Sequence, residues 1–95
     1  MTPSVGRIVH YMLTGYDADM INGGRATSNG ARHGNQCEAG QVYPMLITRV
    51  WASDVGCVNG TLFLDGSDTE RLTSRTQVDA ESTDKQGHWF APPRV

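Results

Sequence analysis

Apolar and polar residues alternate with a period of two along several stretches of this chain, the pattern of strands that turn one face toward a core. Residues 5–13 set Arg7, Val9, Tyr11 and Leu13 against Gly6, Ile8, His10 and Met12, and are rich in strand formers. Residues 43–51 set Met45, Ile47, Arg49 and Trp51 against Leu46, Thr48 and Val50. Both sets of that strand hold apolar residues, so both of its faces are expected to be at least partly covered. Ser53-Asp54-Val55-Gly56 reads as a turn, and residues 57–65 return as the next strand. Asp65-Gly66-Ser67-Asp68 makes a second turn, its Asp-Gly suited to positive φ. Residues 70–78 form a polar strand anchored by Leu72 and Val78. His88-Trp89-Phe90 closes the series, and Pro92-Pro93 ends it.

One helix interrupts this pattern. Thr14 is placed as an N-cap with Asp17 three residues on, a short capping-box variant. Residues 16–22 then make about two turns, with Gly23-Gly24 as the stop. Residues 23–41 read as a long Gly-rich loop carrying Arg25, Arg32, His33 and Asn35. Loops of that length are uncommon unless functional or disordered, and an Arg-bearing one suits closure over an anion.

Five short strands in meander order predict a single domain, residues 1–95, of mainly β class. The expected form is a small SH3-like or related five-stranded barrel with one short helix and a long Gly-rich loop. An α+β split sheet is the alternative. Either predicts Ile8, Leu46, Val50, Leu62, Leu64 and Leu72 in the core. A chain of 95 residues buries only a modest core, which predicts self-association.

Charge narrows the partners. Ten Asp and Glu against eight Lys and Arg give a formal net charge of −2, with both signs scattered. That balance lacks the basic concentration of a long-nucleic-acid binder and the dense acidic face of a DNA mimic. Seven of the eight cations are Arg, whose planar fork pairs with phosphates and carboxylates and stacks on aromatic rings. No apolar run approaches the ~18 residues of a membrane helix, and no signal peptide opens the chain, so a bacterial cytoplasm with reduced thiols is expected. His33, Cys37 and Cys57 lack paired metal-ligand spacing, so neither a metal nor a cofactor is predicted.

Catalytic patterns are missing too. Ser74 and Ser82 stand in no nucleophile elbow, and no histidine has a partner at diagnostic spacing, so the chain is not expected to be an enzyme. Binding fits better. Tyr11, Trp51 and Trp89 supply aromatic faces for stacking, and Arg7, Arg49 and Arg94 supply phosphate partners. His10 is a further contact beside Tyr11, and Asn59, Thr73 and Ser74 supply polar edges. The competing interpretation of each Trp is simple core filling.

Four segments in a fixed order carry a further signal: Val5-Gly6-Arg7-Ile8-Val9-His10-Tyr11, Pro44-Met45-Leu46-Ile47-Thr48-Arg49-Val50-Trp51, Val58-Asn59-Gly60-Thr61-Leu62-Phe63-Leu64-Asp65-Gly66 and Gly87-His88-Trp89-Phe90-Ala91-Pro92-Pro93-Arg94. Together they resemble a family of small proteins encoded by tailed phages and prophages; the chain departs from that pattern over residues 70–75. The resemblance implies a phage setting and transfers no active residues. In size, Gly-rich content and Arg–aromatic composition the chain is also similar to phage anti-defence sponge proteins. That similarity implies sequestration, without cleavage, of a nucleotide-derived immune signal such as a cyclic oligonucleotide or an ADP-ribose derivative. The alternatives are a direct, anti-CRISPR-like inhibitor of a host defence protein and a structural or assembly accessory of the virion.

Overall fold

The computed structural model describes residues 1–27 and 34–93, so the predicted contacts of Arg32, His33 and Arg94 lie outside the described residues. The protein is mainly β. Strands β1 (Ile8–Met12), β2 (Val42–Ala52), β3 (Cys57–Phe63), β4 (Thr69–Arg75) and β5 (Trp89–Phe90) form one antiparallel sheet, with a single helix, α1 (Gly15–Thr27), between β1 and β2. The spatial order is β4-β3-β2-β1-β5. The ladder is open, but its ends are drawn together. Gln77 bridges Trp89 in parallel, with Val78 N donating to Trp89 O at 3.0 Å and Trp89 N to Thr76 O at 3.2 Å. The result is barrel-like without closure.

The inner face of the sheet holds Val9, Tyr11 and Leu13 from β1 and its extension, Met45 and Ile47 from β2, Val58 and Leu62 from β3, and Leu72 from β4. Ala18 and Ile21 of α1, with Cys37, Leu64 and Trp89, complete this core. Leu62, Leu64 and Leu72 are buried as expected, and Val50 packs partly buried against the cluster. Ile8 is a correction: it is 57% exposed. Leu46, paired with it across β1 and β2, is only half-buried. The two alternating sets of β1 compete for the core, and burying the one with His10 would strip water from an imidazole. The set with Tyr11 wins because its hydroxyl finds partners inside. Close packing of β2 on β3 depends on Gly60, where a Cβ would meet the Met45 side chain at 2.6 Å.

The helix begins as its cap predicts. Asp17 N donates to Thr14 Oγ1 and Thr14 N to Asp17 Oδ2, both at 3.0 Å. It does not stop at Gly23-Gly24 but runs on to Thr27. Tertiary anchors outweigh the ~1 kcal/mol that each helical glycine costs. Asn22 brackets the Cys37 backbone with two hydrogen bonds, at 2.9 and 3.0 Å. Arg25 grips Asp68 bidentately at 2.7 and 2.8 Å and also donates to Asn35 O. The same anchors tie down residues 35–37, so the predicted long loop is helical at its start and fastened to the core near its end.

Candidate binding face

Three register shifts, two in β2 and one in β4, decide which side chains the outer face presents. Ile47 pairs with Gly60 but Arg49 pairs with Asn59, so β2 carries one extra residue at Thr48. A bulge of this kind reverses the inward–outward alternation beyond it. Met45 and Ile47 point inward before it; Val50 packs on the core after it, and Arg49 and Trp51 turn outward. A second shift in β2 falls at Trp51, where Val50 pairs with Val58 but Ala52 with Cys57, and a third lies in β4, where Val58 pairs with Arg75 but Gly60 with Leu72. There Ser74 takes φ +54°, an uncommon conformation for a non-glycine residue.

These irregular segments converge on Asn59. Its Oδ1 accepts the Trp51 Nε1–H at 2.8 Å and the Ser74 backbone N–H at 2.9 Å. Asn59 is nearly buried, whereas Trp51 is 53% exposed. The Arg49 guanidinium lies over the indole, 4.0 Å from the ring centroid. The indole is therefore held at its edge and covered on one face while much of it meets solvent. Thr73 is exposed beside this cluster, and its carbonyl accepts from Arg75 at 2.7 Å.

The cluster is one end of a larger surface. Register places Arg71, Thr61, Leu46 and Ile8 in one row across β4 to β1. Thr69 and Phe63 on one side, and Pro44 and His10 on the other, belong to the next. Ile8, Val42, Pro44 and Phe63 are exposed, and Leu46 is half-buried. Sequence reasoning missed this apolar outer face as a site, although the double apolar alternation of residues 43–51 was its signal.

Of the predicted site residues, the fold gathers Arg49, Trp51, Asn59, Thr73 and Ser74. Arg7 is exposed just ahead of β1, where its carbonyl accepts Ile47 N at 2.9 Å. His10 sits across the sheet, edge-on to Phe90 with ring centroids 5.8 Å apart. Tyr11 and Trp89 are corrections: both are fully buried on the inner side and offer no face for stacking. Trp89 Nε1 donates to Gly56 O at 2.6 Å, the core role that competed with stacking from the start.

Tyr11 serves a buried network instead. Its hydroxyl donates to Asp17 Oδ2 at 2.6 Å and accepts from Arg75 Nε at 2.9 Å, while Arg75 also reaches Asp17 Oδ1 at 3.3 Å. Burial, reinforced by the Asp17 carboxylate, pushes the Tyr11 hydroxyl up to about 12. Burial also acts to raise Asp17, but hydrogen bonds from Tyr11 and Thr14, with the Arg75 charge, outweigh it and hold the carboxyl below its ordinary value. Arg75 is thus committed to the core.

A cleft of about 460 Å³ lies elsewhere. Met1, Asp54, Val55, Gln77, Val78, Asp79, Ala80 and Ala91 line it, and none of them is a predicted site residue. Its two carboxylates make it a poor receptor for phosphate. No three His, Cys, Asp or Glu side chains gather as a metal site among the described residues. No helix among them is long and apolar enough to cross a membrane. Comparisons with protein-family models, with curated proteins and with solved structures found no match to this chain.

Proposed function

We propose that the chain is a non-catalytic, phage-encoded binding protein that blocks a host defence protein with the outer face of its sheet. The observation that carries this reading is the exposed Trp51, fixed by Asn59 and Arg49 at one end of an apolar strand surface. Trp and Arg are the side chains most often found at the energetic centre of protein interfaces. A soluble domain leaves a sheet face of Ile8, Val42, Pro44 and Phe63 bare at a cost in solubility, and such patches mark interaction sites.

A second reading, capture of a nucleotide-derived immune signal, is favoured by one feature. The Arg49 guanidinium and the Trp51 indole stand together, as phosphate pairing and base stacking require. It ranks second because small-molecule sites are usually concave, and Arg49 and Trp51 lie on an open face and do not line the 460 Å³ cleft.

Native purification from a bacterial host separates the two. A stoichiometric host protein that co-purifies with wild type and is lost from Trp51→Ser supports the first. A nucleotide released intact on denaturation, and lost from Arg49→Ala, supports the second. Co-purification that Trp51→Ser leaves unchanged, with no released nucleotide, contradicts both.

A further inference from the structure

The charges on the outer face are segregated. The chain carries two more acidic than basic residues, yet the outward positions of β1 to β4 bear no carboxylate. They are Ile8, His10 and Met12 on β1; Val42, Pro44, Leu46, Thr48, Arg49 and Trp51 on β2; Asn59, Thr61 and Phe63 on β3; and Thr69, Arg71 and Thr73 on β4. Arg49 and Arg71 are the cations of this set. The other Arg residues with described side-chain partners are turned to the core side: Arg25 to Asp68 and Arg75 to Asp17. The carboxylates of Asp17 and Asp68 are therefore paired with these two Arg side chains.

Resting on the protein-blocking reading, we infer that the partner is a protein surface with an apolar centre flanked by carboxylates. Leu46, Pro44 and Phe63 would meet the apolar centre, and Arg49 and Arg71 the acidic flanks. A guanidinium fork matches a carboxylate bidentately, and complementary charge sets register and encounter rate. A second copy of the chain fits less well. Two such faces related by a two-fold axis bring the Arg49 and Arg71 sets together with no carboxylate between them, and like charges across an interface are unfavourable. Self-association, where it occurs, belongs on another surface.

The experiment places the photo-crosslinking residue p-benzoylphenylalanine at Thr61, central on the face, in the full chain expressed in its host. The adduct is mapped by mass spectrometry, and the identified partner is purified for titration. The inference expects adducts in partner segments rich in Asp or Glu. It also expects affinity to fall about tenfold on Arg71→Glu and to weaken as NaCl rises. Asp19→Lys, exposed on α1 at the inner side of the sheet, should leave affinity unchanged. A partner segment without carboxylates, or affinity indifferent to Arg71→Glu and to salt, overturns the inference while leaving the blocking reading intact. Adducts confined to a second copy of the chain, or to a nucleotide, overturn both.

Discussion

The indole N–H of Trp51 and the side-chain oxygen of Asn59 are joined at 2.8 Å, and that oxygen also takes the Ser74 N–H at 2.9 Å. One buried amide thus orients an exposed aromatic on β2 and braces an irregular residue on β4. Asn59→Ala removes both bonds and strands a backbone donor, which costs about 1–3 kcal/mol. It should lower the midpoint of thermal unfolding and increase the mobility of Trp51, read as fluorescence anisotropy decay.

Ser74 holds φ +54° only because the fold requires it. Glycine tolerates that conformation, whereas a β-branched side chain resists it. Ser74→Gly should stabilise the protein by about 1 kcal/mol, and Ser74→Val should destabilise it by at least as much. Denaturant melts of the two variants check the pair. Equal effects in the same direction would contradict a conformational origin.

Gly23 and Gly24 lie in α1, exposed, with open space where a Cβ would stand. Gly23→Ala and Gly24→Ala should therefore each stabilise by about 0.5–1 kcal/mol. At roughly 4–8 °C per kcal/mol, the double variant should melt several degrees higher. Had these glycines ended the helix with positive φ, the same changes would destabilise.

That pair marks the limit of what the sequence could tell. Strand existence, turn positions and the Thr14–Asp17 cap were legible because each rests on local pattern. The helix end was not, because Asn22 and Arg25 are held by Cys37, Asn35 and Asp68, residues 10 to 43 positions away. The choice of face for Ile8 was hidden for a related reason: both sets of β1 are apolar, and a distant Asp17–Arg75 pair decides between them. Arg49, Trp51 and Asn59 were legible as a chemical type, but their meeting depends on a bulge at Thr48 that alternation alone does not reveal.

The Tyr11–Asp17–Arg75 network makes stability depend on pH at both ends. The Asp17 carboxyl titrates lower in the folded chain than in the unfolded one, so its contribution is present above the ordinary carboxylate value. That contribution is lost as pH falls through the folded value. Tyr11 is raised from 10.0 to about 12, so its contribution is present below pH 10 and lost as pH climbs toward 12. Tyr11→Phe should cost about 1.5–3 kcal/mol near neutrality, the range for hydrogen bonds to charged groups, and should flatten the alkaline limb. Melting temperatures from pH 2 to 11 for wild type and Tyr11→Phe test both limbs.

The central claim is that the outer sheet face does the binding, and hydroxyl-radical footprinting of the complex with its co-purified host protein tests it most directly. Four reactive side chains report: Trp51 and Phe63 on the outer face, and Tyr16 and Met20 exposed on α1. Binding should suppress oxidation of Trp51 and Phe63 several-fold while Tyr16 and Met20 react as in the free protein. Protection of Tyr16 and Met20 with Trp51 and Phe63 left fully reactive would contradict the account.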